Sequence, residues 1–373
     1  MPYEDLFNLK GNPFRLTPAV SSDEIFWAGF PGIKQQFETR IKRAMKIPNS
    51  SLVLNWGEYG SGKTHAARYF GKRETLASLA EQVGMPVPFF TFITLPKGKN
   101  PIDDFYTSII DKIDIQGLRE MFAEDLNELN AYIDGIGDNN YVNAVLKAIF
   151  NDEVDLPFLR RYLYQSTTAS ENKALADVDI MRAISSDTDY SKIISGLFSC
   201  ITFKKKYYST IILWIDEFED IAIMTKVNGD KTNSFLREII DNTPNNLLIY
   251  LNLTQSALFN IEDLGEYISE AVKSRIKDRI NFEIPKREET LEYIRELLGY
   301  YRVDPVADGR INYFPFDEGL LNQLLQDLNN SSLRGINESL GLLLDLGELD
   351  NLSPITRDYY DANKSEILGD WKG

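Results

Sequence analysis

Directly after an apolar, β-rich run, Ser51–Trp56 (SLVLNW), the chain reads Gly57-Glu58-Tyr59-Gly60-Ser61-Gly62-Lys63-Thr64, and His65–Phe70 can open a helix. No other segment constrains the fold as much. The pattern G-x-x-x-x-G-K-[ST] needs a strand to bring it in and a helix N-terminus to receive it. Its glycines let main-chain N–H groups turn inward around a phosphate, and the helix dipole favours negative charge there. On this reading Gly57–His65 holds the phosphates of a nucleotide. Lys63 reaches the β- and γ-oxygens, and the Thr64 hydroxyl ligates Mg²⁺. A glycine turn that merely precedes Lys-Thr is the alternative, and the flanking strand and helix argue against it.

A second apolar run, Ile211–Ile215, ends in Asp216-Glu217. That places Asp216 at the carboxyl edge of a buried strand, where it can hold the metal through water, and Glu217 where a base polarises an attacking water. Phe218-Glu219-Asp220 continues the acidic cap without an assigned role. Three further runs, Phe89–Leu95, Leu247–Leu253 and Ile280–Ile284, read as strands. Most are continuous and not alternating, as expected of parallel strands buried on both faces, and helical patterns lie between them. The expected fold is therefore α/β, a doubly wound parallel sheet. From about 100 to 205 only helical patterns occur, which reads as a helical insertion. After Pro285, Thr290–Tyr300, Asp317–Leu328 and Leu333–Leu346 read as three amphipathic helices. The division is 1–285 for the nucleotide-binding domain with its insertion, 286–350 for an all-α lid, and 351–373 for a C-terminal tail.

Composition narrows the chemistry. The single Cys200 excludes an internal disulfide and a cysteine-rich metal site, and the single His65 excludes a multi-histidine one. No apolar run of membrane-spanning length and no secretory pattern at the N-terminus occur, which points to the cytoplasm and to no membrane partner. The net charge of −16 weakens a freestanding nucleic-acid binder, because phosphate neutralisation needs lysine and arginine. Residues 101–200 carry 18 Asp/Glu against 8 Lys/Arg, a net of −10, so the insertion supplies most of the acidity. Basic clusters at Lys34–Lys46, Arg68–Arg73 and Lys204–Lys206 leave a DNA partner open, although such clusters are more often solvated faces.

The two nucleotide motifs, in this order, resemble AAA+ P-loop ATPases. The resemblance implies ATP as ligand, Mg²⁺ as its metal, and a homo-oligomer with ATP at subunit interfaces. It also implies a polar residue closing the fourth strand that senses the terminal phosphate. Thr254 fits, with Asn252 one pleat earlier as the alternative. The run Glu270–Arg279, preceding the last strand, is similar to the segment of origin-recognition initiators whose arginine reaches the next subunit's γ-phosphate. Arg275 is the first candidate, Arg279 the second, and a solvated basic helix the bland alternative. Ser331–Asn337 is similar to the start of the lid helix whose arginine contacts nucleotide in cis, which makes Arg334 the candidate there.

Asn12–Pro18 resembles the opening of secretion-type and transposition-regulator ATPases, where it leads to a loop that packs on adenine. Trp214–Glu217 through Arg237, Leu253–Ser256 and Leu159–Leu163 are similar to ATPases of phage-exclusion and related prokaryotic defence systems. Two departures stand out. The interval from Thr64 to Asp216 is 152 residues, longer than a minimal core of this kind, and about 25 residues follow Leu349, too few for a winged-helix domain. The expected function is an ATP-hydrolysing oligomeric switch or motor in a prokaryotic DNA transaction, such as mobile-element targeting or phage defence, with partner proteins recruited by the insertion. The alternative is a protein-binding signalling or scaffold ATPase without nucleic-acid contact. A guanine-specific enzyme is disfavoured because Thr225–Asp230 lacks the N-K-x-D order. A catalytically dead relative is disfavoured because Lys63, Thr64, Asp216 and Glu217 are all present.

Overall fold

The computed structural model describes residues 3–14, 25–136, 139–255, 264–304, 312–329 and 331–369. Five strands form one sheet: β1 Ser50–Glu58, β2 Phe89–Thr94, β3 Ile211–Asp216, β4 Leu247–Gln255 and β5 Ile276–Phe282, in the order β2-β3-β4-β1-β5. β3 runs parallel to both β2 and β4, with Ile211 opposite Phe89 and Leu247. Every residue of β3 is buried, as the continuous apolar run required. The α/β class holds, with the helical insertion and the C-terminal helical region that the sequence called for.

The chain divides into two compact units, 37–55 with 73–280, and 1–36 with 56–72 and 281–373. The partition crosses β1 and β5, whereas the sequence division falls at residue 285.

The first unit holds most of the sheet. Phe37, Trp214 and Tyr250 form an aromatic stack on it, with ring centroids 4.3–5.3 Å apart. Between β2 and β3 the described residues contain helices and no strand: Pro101–Ile110, Ile115–Phe122, Leu126–Ile136, Asn140–Phe150, Leu156–Leu163, Ala169–Asn172 and Asp187–Ile201. Side chains of Asp114, Asn139, Asp155 and Ser186 cap four of these helices by accepting main-chain N–H groups. The apolar faces are buried, with Phe105, Ile109, Val145 and Ile149 essentially inaccessible and Phe105 packed edge-on against Phe235 of the helix Lys226–Asn242. Buried Arg119 donates to the carbonyls of Ala148, Ile149 and Val154 and pairs with Asp152 at 2.8 Å, satisfying carbonyls at and just past the end of Asn140–Phe150. Within the cluster Lys204–Lys206, Lys204 pairs with Glu128 and Lys206 with Asp125, while Lys205 donates to the Met45 carbonyl.

The second unit is helical. Arg287–Tyr301, Glu318–Asp327 and Leu333–Leu349 are the three helices expected after Pro285. Residues 351–373, read from the sequence only as a tail, contain a fourth helix, Arg357–Leu368. Its Tyr360 and Ile367 enter the same apolar core as Leu298, Leu320 and Leu340. Phe7 and Leu9 from the N-terminal segment join that core. Few apolar residues interrupt the polar run 357–368, so its 3.6-residue stripe is narrow.

Candidate functional site

In the helical unit, the end of β1 passes into the loop Gly57–Gly62 and the helix Lys63–Phe70. Gly60 and Gly62 take φ of +75° and +101°, the left-handed region where a side chain is strained, and this aims the loop's N–H groups inward. A Cβ on Gly57 would lie 2.6 Å from the Phe282 carbonyl oxygen. Lys63 is buried, and its ammonium donates to the carbonyls of Gly57 and Glu58 at 2.8 Å. The loop is thus curled about a cation at the head of a helix, a donor set that fits a triphosphate.

Arg334 lies over this loop. Its guanidinium donates to the Tyr59 hydroxyl at 2.7 Å and stacks on the ring at 4.8 Å. Its Cβ would be 2.4 Å from a Cβ built on Gly60. The structure therefore brings Arg334 to the phosphate loop itself, 275 residues away in sequence. His65 is turned to the Phe26 carbonyl, with Nε2–H donating at 2.9 Å, and burial lowers its pKa, so the ring is held neutral. Arg15–Pro18, part of the segment expected to lead toward adenine, lie outside the described residues, as does Ser256.

In the sheet unit, Asp216 ends β3, is 8% exposed, and accepts the Glu217 N–H at 3.1 Å. Its Oδ1 also accepts from Asn252 Nδ2 at 2.9 Å. A buried carboxylate at a strand end, oriented by an amide, fits an outer ligand of Mg²⁺. Glu217 sits at φ +53°, an uncommon conformation for a non-glycine residue that turns the chain sharply out of the strand. Its carboxyl is pushed above the ordinary glutamate range, first by burial and then by Asp220 and Asp216, with Lys97 opposing. Lys97, which sequence reasoning passed over, lies 2.6 Å from Asp220 and 3.9 Å from Glu217. Its only sequence signal is its place just past the end of β2.

Of the two candidates on β4, Thr254 is half-buried and its N–H donates to Glu219 at 3.1 Å, whereas Asn252 is fully buried against Asp216. Arg275 pairs bidentately with Asp241, at 2.8 and 2.7 Å, and also donates to the Ala271 carbonyl. The helix before it spans only Glu270–Lys273, and β5 already begins at Ile276. Residues 276–279, expected to precede the last strand, lie within it, with Ile280 and Phe282 buried at its far end. Arg279 is consequently an exposed strand residue.

No protein-family model matches the sequence, and no curated protein matches it. Solved structures do. The chain is similar to the ORC2 protein of Aeropyrum pernix in its ADP form, with 13% identity and a TM-score of 0.57 over 96% of this chain and 73% of that one. It is likewise similar to the ADPNP–ADP complexes of that protein, at 11% identity and a TM-score of 0.54 over 96% and 72%. At such identities the likeness is one of fold. The chain therefore shares the α/β fold of that protein.

Proposed function

We propose that this chain binds ATP with Mg²⁺ and hydrolyses it within a homo-oligomer whose neighbouring subunit completes each site. The observation that carries the reading is the glycine loop curled about buried Lys63 at the head of Lys63–Phe70, in a chain of AAA+ fold. The ADP and ADPNP forms of the Aeropyrum protein of like fold agree with it. Gly57–Thr64 hold the phosphates by main-chain N–H groups, with Lys63 on the β- and γ-oxygens and Arg334 contacting nucleotide in cis. Bound Mg²⁺, held by Thr64 and through water by Asp216, would neutralise phosphate charge. Glu217 takes up the proton side of the chemistry, polarising the attacking water, and Thr254 or Asn252 senses the terminal phosphate. Arg275, supplied in trans, stabilises charge developing on the transferred phosphoryl group. For Arg275 to act so, assembly must exchange Asp241 for the neighbour's phosphate, two oxyanions that suit the same guanidinium fork.

We place this ATPase in a prokaryotic DNA transaction, as an oligomeric switch or motor whose insertion recruits partner proteins. A second reading, a scaffold ATPase that touches only proteins, is favoured by one observation. Lys204 and Lys206, in one of three basic clusters, are already paired with Glu128 and Asp125. Particle size and ATPase rate, measured with and without ATP and double-stranded DNA, separate the two. The first expects ATP-dependent growth and a rate raised by DNA. Assembly and turnover indifferent to DNA would favour the second, and absence of any ATP turnover would contradict both.

A further inference from the structure

Asp216 is held by a relay that crosses three adjacent strands. Asn252, on β4, gives its Nδ2 to Asp216 Oδ1 at 2.9 Å. Its Oδ1 accepts from Trp214 Nε1, on β3, and from Asn55 Nδ2, on β1, each at 2.8 Å. Asn55, Trp214 and Asn252 are all fully buried, between strands that neighbour one another in the sheet. An indole N–H can only donate, so the Asn252 atom that faces it must be the carbonyl oxygen. Asn55 brings a second N–H to the same oxygen. A half-turn of the Asn252 amide would set donor against donors and its oxygen against a carboxylate oxygen. The amide is therefore locked with its N–H toward Asp216.

Asn55 makes this contact at a cost. Its own Oδ1 is buried with no hydrogen-bond partner among the described residues, which an apolar side chain of similar shape would avoid.

We propose that Trp214 and Asn55 are positioning residues for the metal-holding carboxylate: by fixing the Asn252 amide they set the orientation of Asp216 toward the Mg²⁺ of a bound nucleotide. This inference rests on the Mg²⁺–ATP reading above. It differs from a purely structural role in what it moves. Loss of the lock should weaken the linkage between Mg²⁺ and ATP while leaving ATP's metal-free contacts untouched.

The test titrates a fluorescent ATP analogue against the parent chain, Asn55→Leu and the double variant Asn55→Leu/Trp214→Phe, first in EDTA and then with rising Mg²⁺. Melting curves check folding. In EDTA all three should bind within about twofold of one another. The half-saturating Mg²⁺ concentration should rise about threefold in Asn55→Leu and about tenfold or more in the double variant, the scale of lost outer-shell contacts at metal sites. Asn55→Leu should melt no lower than the parent. Half-saturation within twofold of the parent in both folded variants overturns the proposal. If the double variant fails to fold, Asn55→Leu decides alone by the same threshold. A parent chain that binds no more tightly with Mg²⁺ than in EDTA overturns the Mg²⁺–ATP reading and this inference with it. Parental Mg²⁺ linkage with unmoved variants overturns the inference only.

Discussion

The two candidate nucleotide motifs, each in its own compact unit, are made of different material. The phosphate loop is main chain: two glycines at positive φ, a helix N-terminus and a lysine folded onto the loop's own carbonyls. The carboxylate half is side chain: Asp216 at the end of β3 and Glu217 just past it, with Asn252, Trp214 and Asn55 arranged around Asp216 from three strands. Main-chain cradles must be contiguous, because the loop that binds is the loop that turns. Side-chain relays need only meet in space. Damage to the first half should therefore appear as lost binding, and damage to the second as lost turnover or lost metal linkage with binding preserved.

The largest effect expected belongs to a side chain outside both motifs. Arg275→Ala should cut hydrolysis by about 10³–10⁵ while leaving nucleotide affinity nearly intact. The lost pair with Asp241 is half-exposed, so folding should suffer by no more than about 1 kcal/mol. Mixing it with Glu217→Gln should restore part of the activity, because some interfaces then receive an intact arginine and an intact Glu217. A co-assembled mixture as inactive as its parts would mean that Arg275 acts in cis or not at all, and would turn attention to Arg279.

Lys63→Ala should do the opposite. Each charge-assisted bond to phosphate is worth about 1.5–3 kcal/mol, so equilibrium titration should show ATP affinity reduced about 100-fold or more. Affinity within tenfold of the parent would erase the distinction between the halves.

Gly60→Ala sharpens the main-chain argument with a smaller effect. The position combines φ +75° with a Cβ 2.4 Å from that of Arg334, so chemical unfolding should show a loss of about 1–3 kcal/mol. A variant as stable as the parent would show that the loop's conformation is not enforced.

The smallest effect concerns protons. Glu217 polarises water only when ionised, so activity should fall as pH drops through its pKa. That pKa is raised by burial first and then by Asp220, and Lys97 pulls it back. Lys97→Met should therefore move the acid limb of the kcat profile to higher pH, and Asp220→Asn should move it lower. An acid limb that stays in place in both variants would remove Glu217 from the rate-determining protonation.

Legibility in the sequence follows the same division. Gly57–Thr64 could be read because eight consecutive residues carry the whole geometry. The strands β1, β3 and β4 could be read because burial on both faces writes nearly continuous apolar runs, and β2 because its aromatic and β-branched residues favour a strand. β5 was placed four residues late, since Lys277, Asp278 and Arg279 mask a strand whose outer positions are exposed. Arg334 was found only through family likeness, since nothing local says that a lid arginine will meet Tyr59. Trp214 looked like one more apolar residue in a buried run and Asn55 like an interruption in another. Their indole and amide N–H groups matter only once β1, β3 and β4 lie side by side.

Phosphate release under excess Mg²⁺–ATP, measured for the parent chain and for Glu217→Gln alongside equilibrium ATP binding, tests the central claim most directly. The account predicts turnover by the parent, none detectable above background from Glu217→Gln, and ATP affinities that agree between the two. Turnover by Glu217→Gln at the parent rate, or a parent that binds ATP without releasing phosphate in its assembled state, would contradict it.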